Sequence, residues 1–244
     1  MNKIVISISG GMDSSTLMGK FLNEGYEVYP VSFTYGSKHN KYENEACKNV
    51  CTHYGYNEIP IINLDFINQL FKSDLLSTGG KIPEGHYTDK NMVKTVVPGR
   101  NLIFASIVAG YAESIGANYI GLGVHAGDHH VYPDCRPKFI EKLNETIIES
   151  SEGKVTVLTP FLHMTKKDIL EIGYGLNDEF KVPYHLTRTC YKDQVKSCGR
   201  CASCVERLEA FDLIGKRDPI IYHKESIFEK SINFLKKSLK TKKG

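Results

Sequence analysis

The chain has 244 residues, of which 41% are hydrophobic and 24% charged, with a formal net charge of +3. That length suits one α/β domain with an appendage, or at most two small domains, and so small a charge does not mark a nucleic-acid binder. The longest apolar runs, such as residues 102–108, fall well short of the roughly 20 residues a membrane span requires, so no membrane partner is expected.

Residues 3–9, KIVISIS, form an apolar β-branched run bounded by Gly10 and Gly11, which predicts a buried parallel strand. A helix is expected over residues 14–22, with Leu17, Met18 and Phe21 on one face and Gly25 as its stop. Residues 26–33 predict a second strand, 44–54 a second helix ending at Gly55, and 58–64 a third strand. This β-α-β-α-β order is the signature of an α/β fold with a doubly wound parallel sheet. Residues 77–98 break the rhythm with Gly79, Gly80, Pro83, Gly85 and Pro98. A loop of that length in a compact domain is either functional or a plain surface excursion.

Further along, residues 101–116 predict a helix, 118–123 a strand, 137–150 a helix and 155–159 a fifth strand. Thr165 and Asp168 have capping-box spacing and open a helix to about residue 172. After Gly173 the chain becomes loop-rich through a group of cysteines, followed by a helix over residues 201–214. Residues 224–243 hold seven lysines against two glutamates, with Phe228, Ile232, Leu235 and Leu239 spaced for one helical face. They predict a helix packed on its own domain with a solvated basic face, or else a subunit or RNA contact. The expected organisation is an α/β domain over 1–175, a cysteine-cluster segment over 176–215 packed on it, and a basic tail over 216–244.

The strongest local signal is Ser9-Gly10-Gly11-Met12-Asp13-Ser14-Ser15, set between the first strand and the first helix. Backbone N–H groups and the positive helix end converge there on one spot suited to an anion. The two glycines let the backbone approach a phosphate without Cβ clash, and Ser9, Ser14 and Ser15 add hydroxyl donors. Asp13 is expected to cap the helix or help hold Mg²⁺. The loop is not a Walker A sequence, because no Gly-x-x-x-x-Gly-Lys-Ser/Thr occurs in the chain. The segment from Gly121 to Ala126 fits a loose dinucleotide pattern, but the turn-like residues after it cannot open the helix that fingerprint needs.

Seven cysteines, an odd number in a chain of this length, do not make a disulfide framework. With no secretory signal at the N-terminus, they point to a reducing, cytoplasmic setting and to metal. Cys190, Cys198, Cys201 and Cys204 supply four thiolates within fifteen residues, as tetrahedral Zn²⁺ requires. An iron–sulfur cluster is the competing reading. It is disfavoured because position 208 is Leu and the fourth cysteine lies upstream. Four thiolates leave no open coordination position, so one structural zinc is expected rather than a catalytic one.

Between these motifs, Arg100 follows Pro98-Gly99 at the head of a helix and has the fork geometry to grip a phosphate or carboxylate. Asp128, Tyr132, Asp134 and Arg136 follow the fourth strand on the edge where ligands sit in open α/β sheets. Asp128 and Asp134 could accept from the amino and ring N–H of a guanine-like base, with Tyr132 stacking. His125, His129 and His130 are more simply loop histidines than a second metal site. Lys166 or Lys167 could reach ATP phosphates, and Tyr35 lies past the second strand on the same edge.

The Ser9–Ser15 loop resembles the signature of the ATP pyrophosphatase family, whose members carry adenine nucleotide α-hydrolase-like sheets. SGGMDSST, VPGRN, Asp128 with YPDCR, MTKKD, and TCY followed by CGRCASC together resemble the 7-cyano-7-deazaguanine synthase family, over residues 3 to about 211. The resemblance implies an ATP-dependent carbon–nitrogen ligase of queuosine biosynthesis that converts 7-carboxy-7-deazaguanine and ammonia to the nitrile through an acyl-adenylate and an amide. It implies ATP at Ser9, Gly10, Gly11, Met12, Asp13, Ser14 and Ser15, and substrate at Tyr35, Arg100, Asn101, Asp128, Tyr132, Asp134 and Arg136. Asp13, Arg100 and Lys166 become the expected catalytic groups, with Mg²⁺ accompanying ATP and Zn²⁺ on the four cysteines. Where that family often reads YGQRH, this chain has Tyr35-Gly36-Ser37-Lys38-His39, and Glu43 and Glu45 stand one position displaced.

Residue 2 is Asn, so there is no N-terminal Cys nucleophile for a glutaminase reaction, and free ammonia is the expected nitrogen donor. A tRNA-thiolating or lysidine-type enzyme of the same superfamily would want a tRNA-binding domain, and a non-catalytic ATP-binding regulator would bind ATP without releasing pyrophosphate. Nucleic acid is not an expected partner, and the oligomeric state stays open, a homodimer included.

Overall fold

The computed structural model describes residues 2–223. Five strands make one sheet in the order β3-β2-β1-β4-β5, and every neighbouring pair is parallel. They are β1 (Lys3–Ser7), β2 (Glu27–Thr34), β3 (Ile61–Asn63), β4 (Tyr119–Gly121) and β5 (Thr156–Leu158). The helices are α1 (Met12–Asn23), α2 (Asn40–His53), α3 (Ile67–Leu70), α4 (Arg100–Ser114), α5 (Pro137–Ser150), α6 (Lys166–Gly175) and α7 (Ala202–Leu213). The order is that of a doubly wound α/β sheet, and the strand sequence reverses between β1 and β4, opening a crevice at their carboxyl ends.

The period of two in β1 builds both sides of the sheet. Val5 packs with Val31, Phe33 and Ile120 under Ala105, Val108 and Ala112 of α4 and Ile140, Leu143 and Ile147 of α5. Ile4, Ile6 and Ile8 face the other way, onto Leu17, Met18 and Phe21 of α1, Cys47, Val50 and Cys51 of α2 and Ile169 of α6. Burying each such side chain contributes roughly 1.5–3 kcal/mol relative to leaving it exposed. No described helix is long and apolar enough to cross a membrane.

Element types follow the sequence expectations, while several boundaries move. Helix α2 starts at Asn40, not at residue 44, and α1 begins at Met12. Strands β3, β4 and β5 keep only three residues each, although interstrand hydrogen bonds continue just past them, as from Leu64 N–H to the Thr34 carbonyl and from Leu122 N–H to the Leu158 carbonyl. Residues 77–98 contain a 3₁₀ segment, Lys90–Thr95, and bury Met92, Thr95 and Val97 against the core, so they are not a bare surface excursion. The Thr165–Asp168 capping box forms as its spacing predicts.

Helix α7 packs on α6 through Met12, Leu170, Val182, Tyr184, Ala210 and Phe211. Arg207 on α7 is fully buried and donates through Nε and Nη2 to Asp218, at 2.7 and 2.9 Å, and through Nη1 to Thr187. Ser197 exchanges backbone hydrogen bonds with Ile221 and His223, so the described chain folds back over the cysteine segment. The helical face of Phe228, Ile232, Leu235 and Leu239 lies outside the described residues.

Candidate active site

A cavity opens at the carboxyl ends of β1 and β4, the reversal point of the strand order. Its floor is the loop from Ser9 into α1. Gly10 is left-handed (φ +74°), and a Cβ there would stand 2.3 Å from the Cys47 backbone nitrogen, so only glycine lets the loop lie against α2. The N-cap Gly11 brings no side-chain cap, which leaves the first-turn N–H groups of α1 turned towards the cavity. Ser14 Oγ accepts from Ser9 N at 3.2 Å and lies 3.2 Å from Ser9 Oγ, so the loop holds its own shape.

Beside the loop is a dense group of charges. Lys166, 5% exposed, places Nζ 3.2 Å from Asp13 Oδ2 and 2.8 Å from Glu206 Oε2. His125, almost fully buried, puts Nε2 3.8 Å from Asp13 Oδ2 and 3.5 Å from Asp128 Oδ2. Burial opposes the charge of Asp13, but Lys166 and His125 outweigh it and hold its carboxyl below the usual range. For Asp128 burial wins, and its pKa is raised. The Lys166 ammonium is held charged by Asp13 and Glu206 against its burial. A Cβ at position 127 would meet Glu206 Oε1 at 2.0 Å, so Gly127 makes the room Glu206 occupies. Asp13 Oδ1 is buried without a hydrogen-bond partner.

The opposite wall is aromatic. Tyr132 Oη lies 3.0 Å from Thr95 Oγ1 and 3.4 Å from Tyr191 Oη, and Tyr191 Oη lies 2.7 Å from Tyr87 Oη. Phe33 and Phe104 stack at 4.2 Å, and Tyr35 meets Phe104 edge-on. Arg100 reaches in from the head of α4 with Nη1 3.3 Å from Tyr35 Oη. No carboxylate lies within ion-pair distance of it among the described residues. His39, the N-cap of α2, and Glu43, one turn further on, meet at 3.3 Å (Nε2 to Oε2). Burial, with Arg100 and Arg188 nearby, pushes His39 down to about 3. Burial raises Glu43 to about 7 although both arginines oppose the shift.

Of the residues singled out in the sequence, Ser9, Gly11, Met12, Asp13, Ser14, Tyr35, Arg100, Asn101, Asp128, Tyr132 and Lys166 line this one cavity. Gly10 and Ser15 turn away into packing, and Asp13 faces the charge cluster instead of capping α1. Asp134 and Arg136 stand outside the lining. Asp134 Oδ2 accepts from the Asn101 backbone N–H at 2.9 Å, closing the start of α4, while Arg136 Nε donates to the His129 carbonyl at 3.0 Å. Tyr87, Arg188 and Ser203 also line the cavity without having been singled out, and so do His39, Glu43 and Tyr191, which the sequence named only within motifs and gave no role. Glu206 joins the charge cluster from behind.

Cys190, Cys198, Cys201 and Cys204 are buried, with all four sulfurs within 4.8 Å of one another, and could hold a metal ion. Backbone N–H groups of Lys192 and Cys198 point at Cys190 Sγ (3.4 and 3.3 Å), and those of Arg200 and Cys201 at Cys198 Sγ (3.3 and 3.2 Å). Such donors stabilise thiolates. The cluster reaches the cavity by two routes: Tyr191 follows Cys190, and the Arg188 N–H donates to the Gly10 carbonyl at 2.8 Å.

The family model described as queuosine biosynthesis protein QueC matches residues 3–215. A 7-cyano-7-deazaguanine synthase of Pseudoalteromonas atlantica is 43% identical over 222 residues, covering 91% of this chain and 99% of its own. Another, of Caldicellulosiruptor saccharolyticus, is 44% identical over 225 residues, covering 91% of this chain and 96% of its own. A solved structure described as a predicted subunit of tRNA methyltransferase from Methanocaldococcus jannaschii is 14% identical, with a TM-score of 0.46 over 89% of this chain and 90% of its own.

Proposed function

The chain belongs to the queuosine biosynthesis protein QueC family, and from that premise we propose that it makes 7-cyano-7-deazaguanine from 7-carboxy-7-deazaguanine and ammonia with ATP, releasing AMP and pyrophosphate. One observation carries the reading: the uncapped N-terminus of α1 and an Arg100 guanidinium with no carboxylate partner among the described residues face into the same cavity. A guanidinium in that state favours an anionic ligand with two parallel oxygens, and the substrate carboxylate is one.

In this reading a substrate carboxylate oxygen, oriented by Arg100, attacks the α-phosphorus of ATP. The bond to the bridging oxygen breaks, and pyrophosphate leaves against the loop and Lys166. Ammonia then attacks the acyl carbon, AMP departs with its electron pair, and a proton is lost to give the amide. The amide oxygen attacks a second ATP in the same way. Loss of AMP and of the two protons that remain on nitrogen then leaves the nitrile. No covalent enzyme intermediate is needed, because positioning and charge neutralisation lower the barrier. Asp13 fits a magnesium ion arriving with ATP, since its Oδ1 is buried and unpaired. That ion would supply charge neutralisation on the leaving pyrophosphate.

The four thiols fit zinc, whose tetrahedral, closed coordination would fasten the segment that carries Tyr191 and opens α7. Mass spectrometry of the purified protein with 7-carboxy-7-deazaguanine, ammonium and Mg-ATP tests the reading. Nitrile plus AMP is expected, whereas AMP without nitrile would move the substrate elsewhere.

A further inference from the structure

A 7-deazaguanine ring offers a flat face and one edge with two adjacent donors, the ring N–H and the exocyclic amine. A carboxylate is the side chain that can accept both in parallel. The sequence points to Asp128 and Asp134 for this task, but the fold commits them otherwise. Asp134 closes the start of α4 outside the cavity, and Asp128 belongs to the charge cluster with His125. The carboxylate left among the aromatic walls is that of Glu43.

We infer that Glu43 reads the donor edge of the heterobicyclic base, which makes it a specificity-determining residue of the site. The inference rests on the proposed reaction. Glu43 lines the cavity with 21% of its side chain accessible, while its neighbour His39 is 3% accessible. His39 stays neutral, and its Nε2 stands 3.3 Å from Glu43 Oε2 on the cavity's inner side. Phe33, Phe104 and the linked phenols of Tyr132, Tyr191 and Tyr87 supply flat walls around it. Arg100 lines the same cavity without pairing with Glu43, so the cation remains for the substrate's carboxylate and the anion for its donor edge. The two charges of opposite sign would then fix the ring's direction, with the carboxyl group aimed at the phosphate loop. Burial raises Glu43 as an unfilled acceptor would be raised, and two N–H donors from a ligand would restore the ionised form.

The test compares 7-carboxy-7-deazaguanine with its analogue lacking the exocyclic amine, in wild type and in Glu43→Gln. A site built to pair a polar group discriminates strongly against the ligand without it. Wild type should favour the parent by about 100-fold or more in kcat/KM. Glu43→Gln should lower kcat/KM for the parent by about 100-fold and leave the analogue within about threefold, so that discrimination collapses. ATP affinity, read on the same variant by titration, should hold and thereby certify the fold. Retained discrimination in the variant, or ATP affinity lost together with the parent, would overturn the role of Glu43 alone. Failure of wild type to convert 7-carboxy-7-deazaguanine at all would instead overturn the underlying reaction, and the inference with it.

Discussion

Lys166 on α6 sets its ammonium 2.8 Å from Glu206 Oε2 on α7, the helix that begins at the cysteine cluster. The same ammonium lies 3.2 Å from Asp13 in the Ser9–Ser15 loop. One buried cation therefore ties that loop to the segment that carries the cysteines. Removing it would leave Asp13, Asp128 and Glu206 as like charges in a poorly solvated corner. Lys166→Met is expected to lower stability by about 3–5 kcal/mol, the usual cost of stripping one member from a buried ionic group, and to abolish AMP release. Urea unfolding at pH 7 checks the first part, and wild-type stability would show that the pairing does not hold the two segments together.

Arg100 lines the cavity with no carboxylate in ion-pair distance among the described residues, and its fork geometry is the reason to expect a carboxylate there. Arg100→Lys keeps the charge but loses the two parallel donors, so kcat/KM for the carboxylated substrate should fall about 100-fold, the effect of a misplaced reacting group. ATP affinity should stay near wild type, because the proposed phosphate site is Ser9, Gly11 and the start of α1. Unchanged kcat/KM would remove Arg100 from the substrate's carboxyl end.

The strands, their parallel pairing and the place of the glycine loop between β1 and α1 were legible because local patterns carry them: apolar runs such as KIVISIS, followed by a glycine turn and a helix. The aromatic half of the cavity was less so. Glu43 sits one turn after His39, a spacing that places both on one helical face. The helical periodicity of α2 is weak before residue 44, so a helix expected to start there leaves the pair in a loop. Glu206 and Tyr191 are close to Cys204 and Cys190 in the chain, and only the packing of α7 on α6 turns Glu206 towards Lys166. Asp134 shows the converse. Its place in a polar run after β4 suggests a ligand contact, whereas in the fold it closes the start of α4.

The cysteine cluster should be structural for α7. Cys198→Ser removes a sulfur that receives backbone donors from Arg200 and Cys201. Metal content by elemental analysis should fall together with the thermal midpoint, since binding free energy at such sites is also folding free energy. AMP release should drop as well, because α7 carries Glu206 to Lys166. Full metal content in the variant would remove Cys198 from the ligand set.

The His39–Glu43 pair makes stability depend on pH in two opposing ways. Burial first, then Arg100 and Arg188, depresses His39 to about 3 from its ordinary 6.5. The unfolded chain therefore takes up a proton that the folded chain refuses, and stability is lost as pH falls through 6.5. Glu43, raised by burial to about 7 from 4.5, behaves oppositely: the folded chain takes up the proton first, and stability is gained as pH falls from above 7 towards 4.5. Between pH 7.5 and 5.5 linkage assigns about 1–2 kcal/mol to each, with opposite signs, so the two nearly cancel in wild type. Glu43→Gln should leave the histidine penalty exposed, and stability should fall by about 1.4 kcal/mol over that interval. His39→Gln should do the reverse and gain about 1–2 kcal/mol as the pH drops. Urea unfolding of both variants at the two pH values reads the signs directly, and equal slopes in the two would show that this pair does not titrate as burial requires.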